Sequence, residues 1–252
     1  MIRALRHFGP SLFSLVLLLA ATPPSPLDAQ TVVTPRLTLD DPVILDQDDL
    51  CIWVHPSDPA LSILITSDKA AGKLFVYDLE GTTLQVVDLP GGQPGNIDLR
   101  YNFDLQGSAT DIVAVNDRNT DKLLIYRVHR KTRQLERIDN DAILTANNNY
   151  GLSLYLSPMS GKYYCFSSTE GGVIQQFELS DDGGQVAGTV VRSWDLGLIT
   201  EGQVCDDENP VVFFGEEDVG LWKIGAEPTD LTIPFPVAMV GDTSGIVADI
   251  EG

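Results

Sequence analysis

The amino-acid sequence predicts an all-β protein built from a repeated unit of about fifty residues. Short runs rich in Val, Ile, Tyr and Phe are broken by Gly, Asp, Asn and Pro, and helical periodicity is nearly absent. One type of strand recurs, and its copies begin at residues 74, 123, 173 and 221, which are 49, 50 and 48 residues apart. A period of this length that contains several strands is typical of the blades of a β-propeller.

Each copy of this marker strand lies between a second predicted strand and a polar turn. The second strands are predicted over residues 61–66, 111–115, 162–166 and 211–214. A strand–turn–strand unit that repeats in this way buries its faces against its neighbours. We therefore expect residues 30–252 to form one propeller domain with about four to five blades.

The first 29 residues are predicted to be a secretory signal peptide. Arg3 and Arg6 form a basic region, residues 12–21 form an apolar region, and residues 27–29 provide a cleavage context before Gln30. The apolar run is too short to span a membrane as a helix, and no later stretch approaches that length. We expect a secreted protein, periplasmic or extracellular, that is not retained in a membrane.

The chain is strongly acidic, with a formal net charge of -20. This charge argues against nucleic acid or an anionic membrane as a partner, because both are bound through clusters of Lys and Arg. Carboxylates are suitable ligands for hard cations such as calcium. The alternative is that the acidic charge only keeps the protein soluble. Three scattered cysteines lack metal-type spacing and are interpreted as small buried residues, with one disulfide left open. Nothing in the sequence indicates an oligomer, so a monomer is expected.

The loop just before each marker strand carries ionisable or polar residues. These sets are Asp68-Lys69, Asp117-Arg118, Thr169-Glu170 and Glu216-Glu217-Asp218. Equivalent loops of a propeller open onto one face around the central channel, so we expect the four sets to converge. Arg and Lys bind phosphate oxygens, and carboxylates hold divalent ions that activate water. The pattern favours a phosphoester site, although polar residues also simply occupy tight turns.

The order and separation of several segments resemble the β-propeller phytases, the Bacillus-type alkaline phytase family. The segments are residues 48–56, 68–81, 96–101, 116–118, 150–155, 200–202, 216–218, 226–228 and 249–252. The resemblance implies a six-bladed propeller that binds several calcium ions. It implies a 3-phytase-type hydrolase that cleaves phosphate monoesters of phytate, or of its calcium complex, with metal-activated water and no phosphoenzyme. It also implies that roughly two further blades would follow the C-terminus, so that residues 30–252 form a truncated domain.

The same resemblance implies roles for individual residues. The catalytic set is Lys69, Arg118, Tyr150, Glu170, Glu201 and Glu217, in which Lys69 and Arg118 resemble phosphate grips. The metal set is Asp49, Ile97 through its carbonyl, Glu170, Glu201, Glu217, Asp249 and Glu251. Three positions depart from the family pattern: Thr169 replaces a lysine, Leu50 a proline and Gly95 an asparagine. At Thr169 a phosphate contact is either lost or replaced by a hydroxyl hydrogen bond, and we expect weaker binding rather than abolished chemistry.

Two other functions compete with a phytase. A non-catalytic secreted propeller, stabilised by calcium and acting as a binding module, would show metal-dependent stability without turnover. A propeller lactonase or phosphodiesterase would also use metal in the channel mouth. Lys69 and Arg118 favour a highly phosphorylated substrate over a lactone, which needs no such grip.

Some polar and aromatic residues have a structural interpretation. Asp98 and Arg100 alternate on one strand and suit an internal ion pair as well as a site. The acidic stretch at residues 206–208 suits either a metal site or a turn. Trp53 and Trp194, together with Trp222, are predicted to fill the interfaces between blades, because large aromatic side chains dominate core burial.

Overall fold

The computed structural model shows four antiparallel sheets of four strands each, and it describes residues 34–39 and 43–251. The first sheet contains β1 (Gln47–Trp53), β2 (Ile63–Asp68), β3 (Lys73–Asp78) and β4 (Thr83–Asp88), with a short 3-10 helix at Pro59–Leu61. The second contains β5 (Pro94–Leu105), β6 (Ser108–Asp117), β7 (Lys122–Val128) and β8 (Leu135–Arg137). The third contains β9 (Asn149–Leu156), β10 (Tyr163–Thr169), β11 (Val173–Asp182) and β12 (Gln185–Asp195). The fourth contains β13 (Thr200–Asp206), β14 (Val211–Glu216), β15 (Gly220–Gly225) and β16 (Phe235–Met239).

The four sheets are the predicted blades of a β-propeller. Within each sheet the strands are ordered as they occur in the chain, and neighbouring strands are antiparallel. The marker strands are the third strand of each sheet, namely β3, β7, β11 and β15. The first strands of successive sheets, β1, β5, β9 and β13, lie side by side. The all-β class and the repeat are therefore confirmed, with four complete blades among the described residues.

Alternating side chains on each strand bind one blade to the next. In β6, Val113 and Val115 pack against the first sheet, whereas Ile112 and Ala114 pack against the third. Tyr155 of β9 lies in a further cluster shared with the fourth sheet. Because successive strand residues point to opposite faces, one strand contributes to two interfaces. Each fully buried aliphatic side chain contributes about 1.5–3 kcal/mol.

Aromatic residues and cysteines follow the predicted pattern with one difference. Trp53 is fully buried at the interface of the first two sheets, and Trp194 lies edge-on to Phe166 and Phe214 between the third and fourth. Trp222 instead donates a hydrogen bond of 2.8 Å to Glu216 of its own sheet. Cys165 and Cys205 are buried, Cys51 is half-buried, and all three are free thiols.

The predicted signal peptide lies outside the described residues. In the part of the chain that the structure describes, no helix has the length and apolarity needed to cross a membrane.

A buried carboxylate joins the first two blades. Asp111 accepts hydrogen bonds from Trp53 Nε1 at 2.9 Å and from the backbone of Asn102 at 3.2 Å, and it forms an ion pair with Arg130. Burial raises the pKa of Asp111, but the bonds from Arg130, Trp53 and Asn102 outweigh burial and hold the pKa below its usual value. The folded protein therefore favours the ionised form of this side chain.

We expect Asp111→Asn to lower the free energy of unfolding by about 3 kcal/mol at pH 7, because it leaves a buried ion pair without its anion. A group with a lowered folded pKa contributes stability above its unfolded pKa and loses it as the pH falls through the folded pKa. The difference between the two proteins should therefore shrink below about pH 4. Urea unfolding at several pH values measures it, with the exposed Asp104→Asn as control. If Asp111→Asn and the unmodified protein were equally stable at pH 7, the ion pair of Asp111 with Arg130 would not be a stabilising contact.

Candidate functional site

The four predicted loops occupy equivalent positions in their blades. In each loop the backbone N–H of the second residue donates to a carbonyl in the segment that leads into the first strand of the same sheet. These bonds are each 3.0 Å long and join Lys69 to Asp46, Arg118 to Gln93, Glu170 to Asn148 and Glu217 to Ile199. The repeated bond fixes the four turns alike, so they form one rim around the first strands.

The first residue of three of these loops is structural rather than part of an open site. Asp68, Asp117 and Glu216 are buried at 0%, 4% and 4% exposure. Their carboxylates accept from backbone N–H groups of the segment that leads into the blade, at distances of 2.7–3.0 Å. Buried carboxylates need such partners, because an unpaired buried charge is costly. The following residue of each loop is left available for the channel face.

Arg118 connects all four blades. Its guanidinium forms ion pairs with Asp48 of the first blade at 3.0 Å and with Glu201 of the fourth. The same group lies 4.2 Å from the centre of the Tyr150 ring of the third blade, within the range of a cation–π contact. The predicted convergence of the loops is therefore observed for these residues.

Asp48 links the two cations of the rim. One carboxylate oxygen lies 2.9 Å from Lys69 Nζ, and the other lies 3.0 Å from Arg118 Nη2. Lys69 also lies 3.7 Å from Asp46, and its hydrogen bond with Asp48 raises the pKa of the Lys69 ammonium. Sequence reasoning placed Lys69 and Arg118 in the site but missed Asp48, whose only signal was its position beside Asp49.

Glu217 is the centre of a group of carboxylates. Its backbone carbonyl accepts from Asp249 N at 2.9 Å and from Ile250 N at 3.3 Å, which brings the C-terminal segment to the rim. Burial raises the pKa of Glu217, and the charges of Glu201, Asp249 and Glu251 raise it further. Its Oε1 atom is buried and lacks a hydrogen-bond partner among the described residues. These side chains repel one another and suit a cation.

Tyr150 and Glu201 lie under the Arg118 guanidinium. Burial raises the pKa of Tyr150 to about 12, and the charge of Glu201 adds to this effect. Burial also raises the pKa of Glu201, although Arg118 opposes that shift. At neutral pH Tyr150 is therefore a phenol that can donate a hydrogen bond.

The loop of the third blade departs from the others. The Thr169 hydroxyl is buried and accepts from Val173 N at 3.0 Å, so it stabilises its own turn. Accepting this bond leaves the O–H of Thr169 free to donate, so both alternatives, a lost phosphate contact and a substitute hydroxyl bond, stay predictions. Glu170 is exposed, and its side chain forms no hydrogen bond or ion pair with the described residues. Its predicted catalytic and metal roles stay predictions.

Asp49 and Ile97 meet at the inner edge of the first two blades. Asp49 accepts from Ile97 N at 2.9 Å and from Leu50 N at 2.7 Å, and burial raises the pKa of the Asp49 carboxyl. Both residues line a cavity of about 380 Å³ that Glu251 also borders. The contact to Ile97 uses its N–H, so a role for its carbonyl stays a prediction.

The donor atoms of this face are oxygen atoms of carboxylates, which hard divalent cations prefer. Glu217 provides a buried carboxylate oxygen that has no hydrogen-bond partner among the described residues, and such an oxygen fits a ligand for a cation of this kind. Within residues 34–39 and 43–251, no three His, Cys, Asp or Glu side chains are arranged as a metal-binding group. The individual ligand assignments therefore stay predictions.

Two residue groups that sequence reasoning left open are structural. Arg100 pairs with Asp98 at 3.0 Å and with Asp207 at 2.7 Å, and it thereby connects the second and fourth blades. Asp206 accepts from the backbone of Glu208 and Asn209 and stabilises the turn between β13 and β14. The acidic stretch at 206–208 therefore serves an ion pair and a turn.

Comparison with known proteins decides the family. A family model described as Phytase matches residues 27–252. The chain belongs to the phytase family. It is 39% identical over 187 residues to the 3-phytase of Bacillus subtilis (strain 168), an alignment that covers 72% of this chain and 48% of that protein. This phytase-family chain thus spans about half the length of the curated relative that it matches.

Solved structures also resemble the phytase-family chain in fold. The periplasmic gluconolactonase PpgL of Pseudomonas aeruginosa matches with a TM-score of 0.52 and 14% sequence identity, over 80% of this chain and 55% of that one. At this identity the likeness concerns the fold alone. It leaves the chemistry of the phytase-family rim to be argued from its own residues.

Proposed function

We propose that this phytase-family protein is a calcium-dependent hydrolase of phytate, the hexakisphosphate of myo-inositol, or of its calcium complex. The observation that carries the proposal is the shared rim. On it Lys69 and Arg118 are held by one carboxylate, Asp48, beside the carboxylates of Glu201 and Glu217. Cations for phosphate oxygens and oxygen donors for divalent ions therefore lie on one face.

The two cations have different tasks in substrate binding. Arg118 has a planar fork that suits two phosphate oxygens, and its orientation is fixed by Tyr150 and Glu201. Lys69 is a compact point charge bound to Asp48 at 2.9 Å, and 32% of its side chain is exposed, against 11% for Arg118. We infer that Arg118 orients the phosphate group, whereas Lys69 neutralises part of its negative charge without fixing its orientation.

The carboxylates and the phenol act on the reacting side of the phosphate. Glu201, Glu217, Asp249 and Glu251 would hold the calcium ions, which supply Lewis acidity and an activated water when bound. Glu217 Oε1, which lacks a protein partner, would accept a proton from water. Tyr150 stays protonated at neutral pH and donates a hydrogen bond toward developing negative charge.

Calcium also resolves an electrostatic conflict. A chain with a formal net charge of -20 repels a polyanion such as phytate unless cations reverse the local field. The conflict is sharpest at Glu217, whose carboxylate neighbours already disfavour its ionised form. Substrate binding and calcium binding are therefore expected to depend on each other.

We further propose that the protein is exported and acts as a monomer in the periplasm or outside the cell. The basic and apolar regions of residues 1–29 support export. These proposals are tested by the cell fraction in which the mature protein occurs and by its mass in solution.

The function is tested by phosphate release from phytate by the full-length protein, with calcium and with a chelator. We expect release that requires calcium. A folded protein that calcium stabilises but that releases no phosphate would instead favour a calcium-stabilised binding module. Release that persists fully in chelator would contradict the calcium dependence.

A further inference from the structure

Gly95 lies directly against the side chain of Arg118. A Cβ atom placed at Gly95 would stand 2.5 Å from Arg118 Nε, 3.0 Å from Arg118 Nη2 and 2.9 Å from Asn116 Oδ1. Contacts below 3.0 Å are too short for real Cβ atoms, so some neighbour must move when residue 95 has a side chain. The backbone of Gly95 is not in the left-handed region, so an alanine there adds no backbone strain.

The neighbours other than Arg118 are fixed. The Gly95 carbonyl accepts a 2.5 Å hydrogen bond from Ser67 of the first blade, which holds the strand in place. Asn116 is fully buried and donates to Asn149 Oδ1 at 3.0 Å and to Tyr150 O at 2.6 Å. Arg118 is the neighbour that would move, because its long side chain can adopt another rotamer, although it then loses its contacts with Asp48, Glu201 and Tyr150.

We propose that Gly95 is a positioning residue for the Arg118 phosphate grip. Its missing side chain lets the guanidinium lie against β5, stacked on Tyr150 and paired with Asp48 and Glu201. A side chain at residue 95, such as the asparagine of the family pattern, would push the guanidinium off these partners, so the position that Arg118 has in this chain depends on the glycine. Gly95 thereby sets the distance between the two rim cations, Arg118 and Lys69, and the phosphate spacing that they accept. This inference rests on the proposed function for its consequence in substrate binding, but not for the position of Arg118.

A double-mutant cycle tests the position without any substrate. Thermal unfolding is measured for the full-length protein and for Gly95→Ala, Arg118→Ala and the double variant. We expect Gly95→Ala to lower the unfolding midpoint by about 3 °C more when Arg118 is present than when it is Ala, because the 2.9 Å contact with Asn116 Oδ1 is common to both backgrounds. Gly171→Ala is the matched control, because its Cβ would lie 3.8 Å from Thr169 Oγ1. Equal shifts in both backgrounds would overturn the proposal.

The same variants also cover the case in which Gly95→Ala does not fold. If Gly95→Ala is unfolded and the double variant with Arg118→Ala folds, the clash with Arg118 is supported. If both are unfolded while Arg118→Ala alone folds, the glycine is needed for another reason and the proposal is wrong.

Kinetics on phytate in calcium test the consequence for substrate. We expect Gly95→Ala to raise KM about tenfold with little change in kcat, because a displaced grip loses preorganised binding. The same substitution should leave KM unchanged in the Arg118→Ala background. Unchanged KM in Gly95→Ala, despite coupling in the unfolding cycle, would overturn the link to phosphate binding. Absence of turnover in the unmodified protein would count against the proposed function, while the unfolding cycle would still decide the position of Arg118.

Discussion

Glu217→Gln is expected to lower calcium-dependent phosphate release from phytate by on the order of a hundredfold or more. The substitution keeps the size of the side chain and removes its negative charge. Glu217 provides a buried oxygen without a protein partner, surrounded by Glu201, Asp249 and Glu251. The neutral amide would weaken the proposed calcium ligand and would remove the proposed acceptor for a proton from water. Initial rates with phytate at several calcium concentrations measure the effect.

Although Glu217→Gln should lower activity, it should not lower the thermal stability of the protein. The folded protein raises the pKa of Glu217, so its ionised form is disfavoured by folding at neutral pH. Without calcium we therefore expect Glu217→Gln to unfold at the same or a higher temperature than the unmodified protein. Glu208→Gln, an exposed change of the same kind in the turn between β13 and β14, is the control for both measurements. A Glu217→Gln protein with unchanged turnover would remove Glu217 from the proposed mechanism.

Most of the fold could be predicted from the repeat of about fifty residues. Marker strands 48–50 residues apart indicated blades because a repeat of that length containing several strands is typical of a propeller, and the markers are the third strand of each sheet. The loops before the markers were also predicted to converge. That followed because equivalent loops of repeated units occupy equivalent positions, and Arg118 does reach Asp48 and Glu201 of other blades.

Contacts between distant residues were beyond sequence reasoning. Asp48 bridges Lys69 and Arg118, but its neighbour Asp49 looks the same in sequence, and only the side of the strand distinguishes them. The bond that the Thr169 hydroxyl accepts from Val173 N within its own turn was not foreseen either, and the expected effect of Thr169 on phosphate binding stays a prediction. In both cases the partner is decided by three-dimensional packing, whereas residue type was the only signal available in the sequence.

Arg118→Ala is expected to reduce both stability and substrate binding, because one side chain joins the four blades and is the proposed phosphate grip. Arg118 is 11% exposed, and its partners Asp48 and Glu201 are 9% and 10% exposed. Removing Arg118 leaves Glu201 without its ion pair and Asp48 with Lys69 alone, and the loss of one partner of a buried ion pair costs about 3 kcal/mol or more. We expect the free energy of unfolding to fall by that amount in urea without calcium.

Two further variants separate the sources of this loss. Arg127→Ala removes an ion pair with Glu136 on the surface, where both partners are 36–48% exposed, and should cost less than about 1 kcal/mol. Arg118→Lys keeps the charge but loses the planar fork and the contact with Tyr150, so it should retain part of the stability. Its KM for phytate should nevertheless rise, because an ammonium cannot bind two phosphate oxygens in the plane of a fork. If Arg118→Ala cost no more than Arg127→Ala, the rim would not be the buried cluster on which the proposed site depends.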